Sequence, residues 1–264
     1  MTDRGWDPEL YKRFEDERTR PARELLARVP LDAPRRVFDL GCGPGNSTAL
    51  LVERFPAARV VGTDNSEPML ASARERLPHC TFEFSDIARW RADAPADLVY
   101  SNAALQWVGD HEALLPHLFA QLAPGGVLAI QMPDNRDEPT HRLMREVAAD
   151  PRFAGAIGDA ASVRTEILPI AGYYDLLAPL AASIDVWRTA YQHPMASPAA
   201  IVEWLRATGL KPFIDPLSAD ARAGFLAEYE ARIAAAYAPR ADGRRLLAFP
   251  RLFIVARRAQ SLTS

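Results

Sequence analysis

Short apolar runs alternate with amphipathic segments through the first half of the chain. Because strands in globular proteins are short and apolar, we predict five of them, at residues 36–40, 59–63, 81–84, 97–100 and 127–131. The segments between them have helical spacing, and continuous apolar runs are typical of strands that are buried on both faces. Strands that alternate with helices indicate crossover connections and a parallel sheet. The pattern therefore predicts an α/β protein.

The pattern is less regular after the fifth predicted strand. Residues 138–182 are mainly helical by spacing, an alternating run at 184–189 predicts a sixth strand, and the apolar run at 249–256 predicts a last strand. Between these two strands, residues 198–208 and 219–237 have helical spacing. At the other end of the chain, residues 7–29 predict helix, and Pro21 is expected to divide it in two.

Composition narrows the class of protein. Hydrophobic residues make up 48% of the 264 residues and charged residues 25%, which is typical of a soluble globular protein. The net charge of −3 gives no electrostatic reason to expect nucleic acid or membrane as a partner. The first twenty residues lack the apolar core of a secretion signal. Cys42 and Cys80 have no metal-ligand or disulfide spacing, so we expect reduced thiols and a cytoplasmic protein.

The first predicted strand leads into a glycine-rich turn. Asp39 near its end is followed by Gly41, Gly43 and Gly45, and a second acid, Asp64, stands nineteen residues after Gly45. Glycines let the backbone come close to a ligand, and an acid at the end of the next strand suits the two hydroxyls of a ribose. Glycine clusters also form plain turns between a strand and a helix.

The spacing of the glycines separates two kinds of nucleotide site. Dinucleotide sites usually have G-x-G-x-x-G, whose backbone amides bind a pyrophosphate. This chain has D-x-G-x-G-x-G instead, with Asn46 where the third glycine of a dinucleotide site would stand. A nicotinamide-dependent dehydrogenase is therefore the weaker alternative.

The run DLGCGPG resembles motif I of the class I S-adenosylmethionine-dependent methyltransferases. The resemblance implies a Rossmann-like α/β fold: a seven-stranded, mostly parallel sheet with an antiparallel last strand. It also implies S-adenosyl-L-methionine as the cofactor, bound by the glycine turn and by strand-end residues. Those residues are Asp39 for the ammonium, Asp64 for the ribose, Asn65 and Ile87 around the adenine, Asp86 for its amino group, and Asn102 for the methionine moiety. A helix cap for Asp86 and a turn role for Asn102 are the structural alternatives.

Further blocks resemble a narrower group. DLGCGPGNST, NAALQW, QMPDN, VWRTAYQHPM and LLAFPRLFIVARR are similar to the trans-aconitate methyltransferases over nearly the whole chain. That family esterifies one carboxylate of trans-aconitate, giving a monomethyl ester and S-adenosylhomocysteine. A minimal methyltransferase domain has its last two strands close to a hairpin. The helical insertion here is therefore expected to form a cap above the carboxyl ends of the strands, where ligands bind in such sheets.

The implied reaction favours positioning over acid–base chemistry. A carboxylate has a pKa near 4, so it is already a nucleophile at neutral pH, and we expect no catalytic side chain and no metal. The remaining carboxylates of the substrate require cations or hydroxyl donors. The candidates are Arg20, Tyr11, Arg164, Tyr173, Arg188 and His193. Gln106 and Trp107 are also expected at the substrate site, just past the end of the fourth strand, where Trp107 could form a wall beside the methyl group or the substrate. Most arginines are solvated surface residues, and Trp107 has a plain packing role as its alternative.

These expectations divide the chain into five parts: an N-terminal helical lid at 1–30, an S-adenosylmethionine-binding core at 31–135, a helical segment with strand six at 136–196, a helical cap insertion at 197–245, and the last strand with the C-terminus at 246–264. We expect a small-molecule polycarboxylate as substrate, and no nucleic acid, membrane or obligate protein partner. A methyltransferase for another polycarboxylate and a non-catalytic sensor on the same fold stay as alternatives.

Overall fold

The structure is a computed structural model, and it describes residues 15–162, 166–206 and 209–260. The chain divides into two compact units. The sheet unit consists of Asp16–Pro133, Glu166–Thr189 and the described residues from Arg251 onward. The helical unit contains the described residues of Asp134–Thr165 and Ala190–Pro250. The sheet unit has the larger apolar core and carries the glycine turn.

Seven strands form one sheet. They are β1 (Arg36–Leu40), β2 (Arg59–Asp64), β3 (Thr81–Phe84), β4 (Ala96–Asn102), β5 (Leu122–Pro133), β6 (Ala181–Met195) and β7 (Arg245–Arg258). The order across the sheet is β3-β2-β1-β4-β5-β7-β6. Strands β1 to β5 pair in parallel, and β7 runs antiparallel to β5. The predicted α/β class and the antiparallel last strand are confirmed.

The helices of the described residues are α1 (Glu15–Ala27), α2 (Asn46–Arg54), α3 (Glu67–Arg76), α4 (His111–Ala120), α5 (Pro139–Ala148), α6 (Pro151–Ile157), α7 (Ile170–Leu177), α8 (Pro198–Arg206), α9 (Lys211–Ile214) and α10 (Ala219–Ala236). Two 3₁₀ turns follow strands of the sheet, at Ile87–Arg89 and Leu105–Trp107. None of the helices in these parts of the chain is long and apolar enough to cross a membrane.

The strand order places a topological switch point between β1 and β4. From β1 the chain moves outward to β2 and β3, and it then returns to the other side of β1 as β4 and β5. In open α/β sheets, ligands bind at the carboxyl ends of the strands beside such a point. The glycine turn after β1 and the segment after β4 meet there.

Three element boundaries differ from the prediction for physical reasons. Strand β5 includes the Pro124-Gly125-Gly126 segment, because the pairing with β4 shifts register between Ala96 and Leu98 and absorbs extra residues as a bulge. Strand β6 is far longer than predicted and contains Pro194, which is tolerated because β6 is an edge strand. Helix α1 runs through Pro21, so the predicted division is wrong; the burial of Leu25 and Leu26 supports the helix beyond it.

Each unit has its own apolar core. In the sheet unit, buried residues of β1, β4, β5 and β7 pack with α4 and with Tyr173 and Leu177 of α7. In the helical unit, residues of α5, α8 and α10 pack around Phe225 and Tyr229. The hydroxyl of Tyr229 donates to the backbone carbonyl of Thr140, so α10 is also tied to α5 by a polar contact.

Candidate functional site

The glycine turn begins where β1 ends. The backbone N–H groups of Gly41 and Cys42 both donate to the carbonyl of Thr63 on β2, at 2.8 and 2.9 Å. Gly41 has a φ of 70°, and a Cβ atom at this position would lie 2.2 Å from Cβ of Ala104. Only glycine fits there, because the segment after β4 packs directly against the turn.

Gly43 differs from Gly41 because no described neighbouring group packs against it. Its φ is 54°, and a Cβ atom built on it would have no described atom within 4 Å. Open space therefore lies beside this glycine, and a ligand can approach its backbone closely. Gly45, with a φ of 86°, occupies the N-cap position of α2.

Asp64, the last residue of β2, is fixed by backbone donors. The N–H of Gly43 donates to Oδ2 of Asp64, and the N–H of Ser66 donates to Oδ1, both at 2.9 Å. Ser66 stands at the N-cap of α3 and makes no side-chain capping bond. Burial raises the pKa of Asp64, and the bonds from Gly43, Ser66 and Asn65 oppose that shift. The carboxylate keeps further lone pairs, which two ribose hydroxyls can use.

Asp39 is completely buried inside β1. Oδ2 accepts bonds from Ser47 at 2.7 Å and Thr48 at 2.6 Å, both in the first turn of α2. Among the described residues, Oδ1 has no hydrogen-bond partner. Burial raises the pKa of Asp39 to about 6; the bonds from Thr48 and Ser47 oppose the shift, and the charge of Asp64 adds to it. A ligand cation beside Oδ1 would remove this penalty.

Ser47 and Thr48 hold the carboxylate of Asp39 and were not among the residues predicted for the site. They follow the last glycine as N-S-T, and two adjacent hydroxyl residues at the start of a helix were the available signal. Their bonds fix the rotamer of Asp39 and leave one carboxylate oxygen for another donor.

The predicted adenine-side residues follow β2 and β3. Asn65 is exposed directly after Asp64, Asp86 is exposed, and Ile87 is buried in the next turn. Oδ1 of Asp86 accepts from the N–H of Ala88 at 3.0 Å and so caps the 3₁₀ turn. Asp86 therefore has the capping role that was its structural alternative. The second carboxylate oxygen of Asp86 can still accept a hydrogen bond from a ligand.

The segment after β4 has an unusual backbone. Ala103 has a φ of 56°, and its N–H donates to the carbonyl of Gln131 on β5. Nε2 of Gln106 donates to the carbonyl of Ala103 at 2.6 Å. Trp107 has a relative solvent exposure of 49%, so it does not serve as plain core packing. A non-glycine residue held at positive φ costs about 1–3 kcal/mol and is common at ligand sites.

Several buried polar atoms without described hydrogen-bond partners lie near the carboxyl ends of the central strands. Within the described residues, no hydrogen bond reaches Oδ1 of Asp39, Oδ1 of Asn102, Oε1 of Gln106 or Nε2 of Gln131. These residues lie on β1, β4 and β5 or directly after β4. Because buried polar groups are nearly always bonded, the set fits the polar groups of a ligand. An acceptor at Asp39, an acid at Asp64 and space beside Gly43 suit the ammonium and ribose of S-adenosylmethionine.

The residues predicted for the substrate are dispersed. In the sheet unit, Arg20 forms an ion pair with Glu24 at 2.8 Å, Arg188 is exposed on β6, and Tyr173 is fully buried. In the helical unit, the ring of His193 lies 4.8 Å from that of Trp204. Tyr11 and Arg164 lie outside the described residues. The substrate roles of all six residues stay predictions.

Two further polar residues of the sheet unit were not predicted as substrate ligands. Nη1 of Arg251 donates to Oε1 of Gln131 at 3.3 Å, and both side chains are buried. The available signal was an arginine inside the apolar run FPRLFIVA, where a charged residue requires a reason. In the described part of the chain, no group of three or more His, Cys, Asp or Glu residues is placed to hold a metal ion.

Comparison with known proteins gives the family. A family model for the methyltransferase domain matches residues 37–126. The trans-aconitate 2-methyltransferase of Variovorax paradoxus (strain S110) is 70% identical over 254 residues, which cover 96% of this chain and 98% of that protein. Among solved structures, the YcgJ protein from Bacillus subtilis has a TM-score of 0.58 at 14% identity, over 92% of this chain and 99% of that one.

A Haemonchus contortus phosphoethanolamine N-methyltransferase 2, solved with S-adenosylhomocysteine, has a TM-score of 0.55 at 19% identity and covers 91% of this chain and 53% of its own. At these identities the two structures support the fold alone. The sheet order and the glycine turn place the chain among the class I methyltransferases. The full-length relatives make the assignment narrower: the chain belongs to the trans-aconitate 2-methyltransferase family. Both resemblances drawn from the sequence are confirmed.

Proposed function

We propose that this protein uses S-adenosyl-L-methionine to esterify one carboxylate of trans-aconitate, giving the monomethyl ester and S-adenosylhomocysteine. The observation that carries the proposal is 70% identity to a trans-aconitate 2-methyltransferase over almost the full length of both chains. The partnerless acceptor of Asp39 and the open space beside Gly43 support the cofactor. We also infer a cytoplasmic location, because Cys42 and Cys80 are free thiols.

Each part of the cofactor has a proposed partner in the sheet unit. Oδ1 of Asp39 accepts from the methionine ammonium, and Asn102 lies beside the same moiety. The carboxylate of Asp64 accepts from the ribose hydroxyls, as two oxygens can do at once. Asn65, Asp86 and Ile87 surround the adenine, with Asp86 accepting from its amino group.

When bound, S-adenosyl-L-methionine would supply a methyl group on a positively charged sulfur to a carboxylate oxygen, and the electrons of the broken carbon–sulfur bond would remain on the sulfur. No proton is transferred, because a carboxylate is ionised at neutral pH. The chain therefore needs no general base. Its contribution is to hold the two reactants in line, which is worth roughly 7–11 kcal/mol in well-oriented systems.

The turn after β4 is proposed to border the reacting groups. Gln106 and Trp107 follow the strained residue Ala103, and the exposed indole of Trp107 provides an apolar wall. An apolar wall excludes water from the carboxylate, and a less hydrated carboxylate is a stronger nucleophile. Arg20 and Arg188 of the sheet unit stay proposed cations for the remaining carboxylates.

The proposal is tested by incubating the purified protein with S-adenosylmethionine and trans-aconitate, and measuring the monomethyl ester and S-adenosylhomocysteine by mass spectrometry. Turnover on cis-aconitate and isocitrate, measured in parallel, checks the substrate. Faster turnover on either of these acids would replace the proposed substrate with another polycarboxylate.

A second measurement separates the reaction from other functions of the fold. Calorimetric titration with S-adenosylhomocysteine and with NAD should show binding of the first alone. Binding of NAD would favour a dehydrogenase. Binding of S-adenosylhomocysteine without turnover of any acid would favour a non-catalytic sensor.

A further inference from the structure

We propose that the guanidinium of Arg251 and the side-chain amide of Gln131 form a clamp that binds one carboxylate of the substrate. The inference rests on the proposed function and adds to it the residues that select a polycarboxylate. Gln131 is two residues before the end of β5, and Arg251 lies on the adjacent strand β7. Both residues belong to the sheet unit.

Register places the two side chains on one face of the sheet. Arg251 is the antiparallel partner of Pro133, and Gln131 stands two residues before Pro133 on the same strand. Residues that are two apart on a strand point to the same face, and so do directly paired residues. Asn102, the parallel partner of Gln131, continues this row onto β4.

The contact between the two side chains fixes the orientation of the amide. A guanidinium has donors only, so the atom of Gln131 that it contacts at 3.3 Å must be the oxygen, Oε1. The amide nitrogen, Nε2, then faces elsewhere, and among the described residues it has no hydrogen-bond partner. The pair thus combines an amide donor with the fixed fork of a guanidinium. Two neighbouring donors of this kind suit the two oxygens of a carboxylate.

Burial makes such a clamp selective. Arg251 has a relative solvent exposure of only 5%, and Gln131 is fully buried. A charged hydrogen bond is stronger away from water, so a carboxylate gains more at this position than at a surface arginine. A ligand with a group that cannot accept a hydrogen bond at the same place would leave Nε2 of Gln131 without a partner, which costs about 1–3 kcal/mol.

Two carboxylates are candidates, one from the substrate and one from the methionine of the cofactor. The ammonium and carboxylate of methionine share one carbon atom, and the ammonium is proposed to lie at Asp39 on β1. Strand β7 is three strand spacings from β1, a distance of about 14 Å. The carboxylate bound by the clamp is therefore assigned to the substrate.

The test uses the S-adenosylhomocysteine complex of the intact protein, titrated with trans-aconitate in a calorimeter. Arg251→Met and Gln131→Met should each weaken trans-aconitate binding at least tenfold and raise KM similarly. Affinity for S-adenosylhomocysteine should change less than threefold. Arg251→Met also removes a buried charge, so we expect it to fold. The control is Arg257→Met, further along β7, whose side chain contacts the carbonyl of Gly125.

Truncated ligands identify the bound carboxylate. Glutaconate lacks the central carboxylate of trans-aconitate, mesaconate lacks the terminal carboxylate on the saturated carbon, and itaconate lacks the terminal carboxylate on the unsaturated carbon. If the clamp binds a particular carboxylate, Arg251→Met should leave the affinity for the ligand that lacks it unchanged. A purely structural role of Arg251 would weaken trans-aconitate and all three truncated ligands alike.

The outcomes separate the clamp from the proposed function. Loss of S-adenosylhomocysteine affinity in both variants, with trans-aconitate binding intact, would assign the clamp to the cofactor and overturn the inference. Unchanged trans-aconitate binding in both variants would overturn it as well. A wild-type protein that binds S-adenosylhomocysteine but not trans-aconitate would contradict the proposed substrate, and titration with cis-aconitate and tricarballylate would then test the clamp by itself.

Discussion

The hydroxyl of Tyr173 lies 2.5 Å from Nδ1 of His111, and both side chains are buried. The other ring nitrogen, Nε2, is 2.9 Å from the carbonyl oxygen of Leu105. Because a carbonyl only accepts, Nε2 carries the proton, so Nδ1 accepts from the hydroxyl of Tyr173. The hydroxyl oxygen in turn accepts from the N–H of Leu168 at 3.2 Å. This network ties α7 to the turn that contains Gln106 and Trp107.

The network predicts that Tyr173→Phe is a stability variant. It leaves Nδ1 of His111 and the N–H of Leu168 without their partner, which should lower the free energy of unfolding by about 1–3 kcal/mol. Tyr174→Phe is the matched control, since Tyr174 is the next residue and its side chain is exposed. Urea unfolding measures the difference. A raised KM for trans-aconitate in a stable Tyr173→Phe protein would instead support the substrate role suggested by the sequence.

Substitutions of Gly41 and Gly43 are expected to cause different defects. Gly41→Ala brings its Cβ within 2.2 Å of Cβ of Ala104, so it should destabilise the fold by roughly 3 kcal/mol through overlap and backbone strain. Gly43→Ala meets no described atom and should lose about 1–2 kcal/mol from strain alone. Its methyl group occupies the open space, so affinity for S-adenosylhomocysteine should fall at least tenfold. Thermal unfolding and calorimetry measure the two effects.

A second substitution tests the cause of the Gly41 defect. Combining Gly41→Ala with Ala104→Gly removes the contacted methyl group and should recover part of the lost stability. No recovery would show that strain at Gly41, rather than packing against Ala104, sets its requirement. Equal affinities of wild type and Gly43→Ala would place the cofactor away from the turn.

The bounds of β1 and β3 were predictable because local patterns determine them. The run 36–40 matches β1, and the run 81–84 matches β3, since apolar runs and the acids that end them are local signals. The length of β6 was not predictable, because its exposed edge position lets polar residues and Pro194 extend it without an apolar pattern.

Only part of the candidate site was predictable from the sequence. Asp39, Asp64 and the glycines belong to a contiguous motif with known spacing. Ser47 and Thr48 act through contacts across the turn, and the pairing of Gln131 with Arg251 joins positions 120 residues apart. Such contacts depend on strand register, which a single sequence does not specify.

Substitution of Asp64 is expected to remove the part of the ligand affinity that comes from the ribose. Asp64→Ala should weaken S-adenosylhomocysteine binding by about 1–3 kcal/mol, because charged hydrogen bonds to the hydroxyls are lost. The 2′-deoxy analogue of the ligand, which lacks one hydroxyl, should bind the wild type more weakly but lose less on substitution. Calorimetric titration of both proteins with both ligands gives the coupling free energy between Asp64 and the 2′-hydroxyl. If the two ligands lose the same affinity, Asp64 acts by holding the N–H groups of Gly43 and Ser66 and makes no bond to the 2′-hydroxyl.

Asp39 predicts how cofactor affinity depends on pH. Burial raises its pKa to about 6 in the folded chain, so folding favours the protonated form. Its contribution to stability is therefore greatest at low pH, and it is lost as pH rises through 6. Binding of an ammonium requires the ionised form. Affinity for S-adenosylhomocysteine should thus be constant above about pH 7 and fall by up to tenfold per pH unit below 6.

Asp39→Asn separates the two effects of this carboxylate. The amide cannot ionise, so the folded protein without ligand should be more stable than wild type at pH 8. The difference should be about half as large at pH 5, because the wild-type penalty develops between the ordinary pKa of an aspartate and the raised pKa of Asp39. Its affinity for S-adenosylhomocysteine should be low and lack the fall below pH 6, because no charge faces the ammonium. Calorimetry from pH 5 to 8 measures the binding, and urea unfolding at pH 5 and pH 8 measures the stability. A variant that kept both the affinity and the pH profile of the wild type would show that another group binds the ammonium.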